Sequence, residues 1–163
     1  MNNSVAQHLH LTLSDAIQDS FYDEKSNHEV IVLKPEQLRP IISILKTELF
    51  YDMLMDIASV DLGIEAIERF ELIYLLYNTR ENKRVCLKTI LPDNKFPKIE
   101  TVSDIFGAAN WAEREAFDMM GIVFSGHPNL ERLLMWDEFE GHPLRKDYPL
   151  DRRQPIPKTK ELL

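Results

Sequence analysis

TVSDIFGAANWAEREAFDMMG, residues 101 to 121, is the stretch whose reading decides the fold. Val102, Ile105, Phe106, Ala109, Ala112, Ala116, Phe117 and Met120 recur at helical spacing and form one apolar face, which predicts a single helix along the stretch. Thr101 with Asp104 fits a capping box at its start, and Gly121 stands where a left-handed C-cap is wanted. At about 100° per residue, Glu113 falls between the directions of Ala109 and Phe117, near the middle of the apolar face. It should be buried with a partner, because an unpaired buried carboxylate protonates instead. Trp111 falls on the opposite side, among Asp104, Gly107, Arg114, Glu115 and Asp118. Either the chain's own C-terminal segment covers this Trp or another protein does.

Beyond Gly121 the chain makes a Gly-His-Pro turn at residues 126 to 128, a short apolar segment, a second Gly-His-Pro at 141 to 143, and a charged, proline-punctuated exit. The formal charge is -8, yet residues 142 to 163 carry +3 and the rest -11, an asymmetry that suggests a docking arm. Residues 1 to 141 then make a scaffold and 142 to 163 the arm. Ordering the arm costs on the order of 1 kcal/mol per residue, which needs roughly 900 Å² of apolar burial in return. Leu144, Tyr148, Leu150, Ile156, Leu162, Leu163 and the prolines offer less, so much of the arm is expected to be mobile until it wraps a partner.

Before the decisive stretch, residues 1 to 28 support a short helix near Ser14 to Phe21. Glu29 to Lys34 reads as a buried strand, and Pro35 opens a helix striped by Leu38, Ile41, Ile42, Leu45 and Leu49, with Pro40 expected in or near its first turn. Met53 to Asp61, Arg69 to Tyr77 and Arg84 to Leu91 read as strands, the last two forming a long-looped hairpin. The class is α+β: a mixed, largely antiparallel sheet with helices packed on it, followed by an extended C-terminal arm.

Several chemistries are excluded or disfavoured. An acidic chain lacks the basic face of a nucleic-acid binder. Cys86 is the only cysteine, so no intramolecular disulfide, Cys-based zinc site or self-held iron-sulfur cluster can form. There is no glycine-rich phosphate loop, dinucleotide fingerprint or nucleophile elbow, so no cofactor is expected in this chain. No apolar run reaches the roughly 18 residues of a membrane span and no secretory signal stands at the start, so membrane attachment is expected only through partners. His127 and His142, with Asp137, Glu138 and Asp147 nearby, are the one metal-like set, but their spacing fits no known ligand pattern. The alternative is that each Gly-His-Pro is a turn in which the His caps a neighbouring carbonyl. Arg114 and Asp118, four apart, read as a solvated helix pair, and Arg145, Lys146 and Asp147 as a salt-bridged anchor.

The run WAEREAFDMMGIVFSGHP from Trp111 to Pro128, continued by Leu130, Arg132, Leu133 and Leu134 and then by GHPLRKDYPL from Gly141 to Leu150, resembles the C-subunit family of proton-pumping NADH:quinone oxidoreductase, respiratory complex I. The resemblance implies a non-catalytic subunit of the peripheral arm on the cytoplasmic side of the bacterial inner membrane. FMN and iron-sulfur clusters would sit in partner subunits, and this chain would pack against the quinone-reducing D-type partner and neighbouring iron-sulfur subunits. The family's motif positions fall on Trp111, Glu113, Arg114, Glu115, Asp118, Gly121, Gly126, His127, Pro128, Arg132, Gly141, His142, Pro143, Arg145, Lys146 and Asp147, with Tyr148 beside them; they would shape inter-subunit contacts. Two other readings compete: the equivalent accessory subunit of an energy-converting membrane hydrogenase, and a stand-alone metal-dependent hydrolase using His127, His142 and Asp147.

Overall fold

The structure is a computed structural model that describes residues 4–13 and 15–155. Its elements run α1 (Val5–Thr12), β1 (Ile17–Asp23), β2 (His28–Leu33), α2 (Pro35–Thr47), β3 (Met53–Asp61), β4 (Phe70–Asn78), β5 (Lys83–Leu91), β6 (Lys98–Glu100), α3 (Ala109–Met120) and β7 (Val123–Ser125). Five strands form one sheet in the order β1-β2-β5-β4-β3, and β6 pairs with β7.

All neighbours in the large sheet are antiparallel except β2 and β5, which run parallel with Val30 opposite Cys86. The sheet is therefore mixed and largely antiparallel, as the strand patterns imply. In β4 the residues Phe70, Leu72, Tyr74, Leu76 and Asn78 are buried and the alternate ones only partly so. Period two, hidden in a run that reads as continuously apolar, sorts the two faces. Onto the buried face pack Leu9 of α1, the α2 stripe Leu38, Ile41, Ile42 and Leu45, and Ala116 and Met119 of α3.

Three expectations need correction. The N-terminal helix lies at Val5–Thr12 and not near Ser14 to Phe21, where β1 pairs with β2 instead. Its first N–H groups are capped from a distance: Glu29 accepts from Val5 N–H at 2.8 Å and Ala6 N–H at 3.1 Å. Pro40 sits in the second turn of α2, where the Glu36 carbonyl goes without an intrahelical donor. The long helix starts only at Ala109. Val102 to Phe106 instead form a tight turn in which Ile105 and Phe106 N–H donate to the Val102 carbonyl at 3.0 and 2.9 Å. Asp104 caps nothing and pairs with Arg39 at 2.7 Å. No helix among the described residues is long and apolar enough to cross a membrane.

Candidate functional site: a clamped, turn-rich surface

Two carboxylates on α3, each fully buried, fix what comes before and after the helix. Glu113 reaches back: its Oε1 accepts the Val102 N–H at 2.8 Å and its Oε2 accepts the Thr101 hydroxyl. Thr101 is thus spent on Glu113 and on Ser103, and no capping box forms. Desolvation raises the Glu113 carboxyl above its usual range, only partly opposed by these two donors.

Asp118 reaches forward. Its Oδ2 accepts three consecutive N–H groups, Leu133 at 3.0 Å and Leu134 and Met135 at 2.8 Å each, while Oδ1 accepts Arg132 Nη1 at 2.6 Å. Burial alone would push this carboxyl up, but the backbone N–H groups and the Arg132 guanidinium outweigh it and hold it below the usual carboxylate range. One turn earlier, Arg114 donates to the carbonyls of Glu131 and Arg132 at 3.2 and 3.0 Å. The expected solvated Arg114–Asp118 pair therefore does not exist. Asp118 takes the donors of the 131–135 turn and Arg114 takes its acceptors, because the returning chain covers the Arg114–Asp118 part of the helix face that the wheel assigns to solvent, leaving Trp111 and Glu115 exposed.

The C-terminus of α3 leaves four carbonyls without intrahelical partners, and each is taken. Phe117 C=O accepts the Gly121 N–H at 2.8 Å, Asp118 C=O lies 3.0 Å from His142 Nδ1, Met119 C=O accepts the Leu144 N–H at 3.1 Å, and Met120 C=O accepts Arg145 Nε at 2.5 Å. Gly121 has φ 70°, the left-handed cap that the sequence requires, and a Cβ there would run into the His142 ring and the Arg145 guanidinium. Burial pushes the His142 imidazole below its usual pKa, so the neutral ring donates from Nδ1 to the carbonyl. His127 likewise serves its turn: Nδ1 accepts the Asn129 N–H at 3.1 Å, which leaves Nε2 to donate to Asn110 C=O at 3.1 Å, 4.0 Å from Glu113.

A third clamp ties residues 145 to 148 to the sheet. Arg69 pairs with Asp61 at 2.7 Å and with Asp147 at 2.8 Å, and Asp61 also accepts the N–H groups of Lys146 at 2.8 Å and Gly63 at 3.0 Å. The Arg69 guanidinium holds both Asp61 and Asp147 below the usual carboxylate range. Arg69 and Arg145 each lie over the Phe70 ring, at 4.8 and 4.9 Å. Tyr148 stacks on Phe139 and accepts from Gln154 at 2.7 Å. The segment from His142 to Pro155 is thus held against the body by polar contacts that an apolar-area estimate does not count; residues 156 to 163 of the arm lie outside the described residues.

Not every candidate joins these clamps. Glu115 and the Lys146 side chain are exposed, and Trp111 is 61% exposed with the Arg114 guanidinium 5.1 Å over its ring. The described part of the C-terminal segment does not cover Trp111. His127, His142 and Asp147 engage three different parts of the backbone and sheet, and among the described residues no cluster of His, Cys, Asp or Glu is arranged to hold a metal. Asp61, Arg69 and Thr101 are the clamp residues that sequence reasoning missed. The available signal was a charged pair, Asp61 and Arg69, bracketing a loop between two otherwise apolar strands.

The sequence pattern of the family described as "Respiratory-chain NADH dehydrogenase, 30 Kd subunit" matches residues 31–154, which takes in β3 to β5 of the sheet, α3 and all three clamps but not β1. The chain belongs to that family. It is 42% identical over 120 residues to the C subunit of NADH-quinone oxidoreductase from Geobacter metallireducens, covering 74% of each protein. It is 39% identical over 141 residues to the C/D 2 subunit of NADH-quinone oxidoreductase from Aquifex aeolicus, covering 83% of this chain but only 23% of that longer protein. Among solved structures, a trypsin-resistant fragment (1-134) of Nqo5 aligns with TM-score 0.57 at 31% identity over 63% of this chain and 83% of the fragment. A chain of an archaeal membrane-bound sulfane sulfur reductase shares the fold, with TM-score 0.74 at 23% identity over 90% of this chain and 84% of that one.

Proposed function

We propose that this family member is a non-catalytic subunit of the peripheral arm of NADH:quinone oxidoreductase. It supports electron transfer from NADH through FMN and iron-sulfur clusters in other subunits to quinone, coupled to proton translocation. Its direct partner is the quinone-reducing D-type subunit, with iron-sulfur subunits as neighbours, on the cytoplasmic side of the membrane. The observation that carries this reading is Trp111: a large aromatic ring stands in solvent on a helix whose flanking segments are clamped in place, the form of an interface anchor waiting for its pocket. The Aquifex relative, whose name joins C and D in one polypeptide, supports the D-type protein as the neighbour.

The test is to extract native membranes in mild detergent through a tag on this chain and identify what accompanies it by mass spectrometry. The reading expects flavin and iron-sulfur subunits together with NADH-driven quinone reduction, and Trp111→Ala should release the chain from the quinone-reducing partner. Recovery with a nickel-iron large subunit would move the chain to a membrane hydrogenase. A chain recovered alone would overturn both.

A further inference from the structure

The tripeptide Gly-His-Pro occurs twice, and its two imidazoles bond in opposite senses at Nδ1. At 141–143 the His142 ring donates from Nδ1 to the Asp118 carbonyl at 3.0 Å. At 126–128 the His127 ring accepts at Nδ1, from the Asn129 N–H at 3.1 Å, and donates from Nε2 to the Asn110 carbonyl at 3.1 Å. An imidazolium is a donor at both nitrogens. A charged His142 would keep its bond, whereas a charged His127 sets its own Nδ1–H against the Asn129 N–H. Burial and the Arg145 and Arg132 guanidiniums also keep a proton off His142.

The groups around His127 are arranged otherwise. From α3 it is faced by Glu113, whose Oε2 lies 4.0 Å from Nε2, both side chains being fully buried. Arg114 of the same helix is turned to the carbonyls of Glu131 and Arg132. In the 101–106 turn Thr101 gives its hydroxyl to Glu113, and Asp104 is paired with Arg39 of α2. Glu100 of β6 and Glu131 stand in solvent. Glu113 therefore supplies a counter-charge for an imidazolium that has no acceptor at Nδ1. We propose that the turn at 126–129 is a proton-operated latch: a proton at His127 Nδ1 releases the Asn129 N–H to water and loosens the chain leading into the Asp118 clamp. The remaining bonds of the turn, His127 N–H to Phe124 C=O at 3.2 Å and Glu131 N–H to Asn129 C=O at 3.1 Å, do not involve the ring, so the latch opens without unfolding the chain. Imidazole is the one side chain that in its ordinary state titrates between pH 5 and 8, a range in which Asp61, Asp118 and Asp147 stay ionised. The Glu131 carbonyl holds the guanidinium that lies over the Trp111 ring, so the latch acts on the surface proposed above for docking, and its bearing on docking rests on that reading.

The experiment follows the imidazole nitrogens of the full-length, 15N-labelled chain by NMR from pH 7.5 to pH 5, together with amide exchange at Asn129 and Leu144. Leu144 is the reference, since its N–H bonds Met119 C=O in the other Gly-His-Pro turn. The expected result is a neutral His127 ring protonated on Nε2 at pH 7.5. As that ring takes up its second proton, protection of the Asn129 amide relative to Leu144 should fall at least about ten-fold, the equivalent of one lost hydrogen bond. His127→Gln, which does not titrate, should lose the pH dependence; if that variant folds poorly, the ring and amide readings on the native chain decide. A ring protonated on Nδ1 at pH 7.5 overturns the proposal. So does a ring that charges while Asn129 stays protected, or one that stays neutral to pH 5 with the β4 amides still protected. All these readings are made on the chain alone, so the latch can fail while flavin and iron-sulfur subunits still accompany the chain, and the function proposed above can fail with the latch intact.

Discussion

Strand β4 and the stretch from Gly126 to Pro155 are held in place by different forces. In β4 alternate side chains from Phe70 to Asn78 are buried and both edges are hydrogen-bonded, to β3 and to β5. From Gly126 to Pro155 there is no helix or strand, and the path is set by side chains that reach back to backbone groups: Asp118 to Leu133, Leu134 and Met135, His142 and Arg145 to the end of α3, and Asp61 to Lys146. Apolar burial is spread over many contacts and tolerates the loss of one. A clamp depends on a few ionised groups, so single polar changes should loosen the stretch while leaving the sheet intact.

The largest effect is expected at Asp118. Asp118→Ala leaves three N–H groups and the Arg132 guanidinium without their acceptor, and removing one partner of a buried pair costs about 3–5 kcal/mol. Urea unfolding would give that loss. Arg69→Met should follow at about 3 kcal/mol, because Asp61 keeps the Lys146 and Gly63 N–H groups; proteolysis should then cut near Lys146 well before the sheet opens. Gly121→Ala adds the left-handed strain of about 1–2 kcal/mol to a clash with His142 and Arg145, and its thermal midpoint should fall accordingly.

Acid should separate the carboxylates. Asp61, Asp118 and Asp147 are all held low in the folded chain, so their contribution is present above the unfolded value near about 4 and lost as pH falls below it. Glu113 has the opposite sign. Its folded pKa is raised, so the stability from its protonated form is full below about 4.3 and lost as pH rises through the folded value. Between pH 4 and pH 7.5 the urea midpoint of Glu113→Gln should therefore rise more, or fall less, than that of the native chain. The smallest effect on the isolated chain belongs to Trp111→Ala, within about 0.5 kcal/mol, since the exposed ring packs on little besides Arg114.

The same contrast explains what the sequence made legible. The core stripe of α2, the three central strands, the Gly121 cap and the burial of Glu113 follow from periodicity, a local property. The start of α3 was misread because a tight turn at Val102 to Phe106 places apolar residues at the spacing of a helix. Helix α1 was misplaced because its cap, Glu29, lies on a distant strand. Asp118 was assigned to a solvated face because a helical wheel contains no information about chain that returns to cover it. The two His turns were legible as carbonyl caps, since Gly-His-Pro fixes the turn and leaves the ring to satisfy a backbone group. The arm's attachment was legible only as a salt-bridged anchor at Arg145 to Asp147; its partners Asp61 and Arg69 lie far back in the sequence, and no apolar count registers such contacts.

Amide hydrogen exchange at Leu133, Leu134 and Met135 in the isolated chain tests most directly whether this surface is formed before any partner arrives. The clamp predicts slow exchange at all three in the native chain and its loss in Asp118→Asn, with the β4 and β5 amides unchanged. Exchange at the rate of an open chain in the native protein would contradict it.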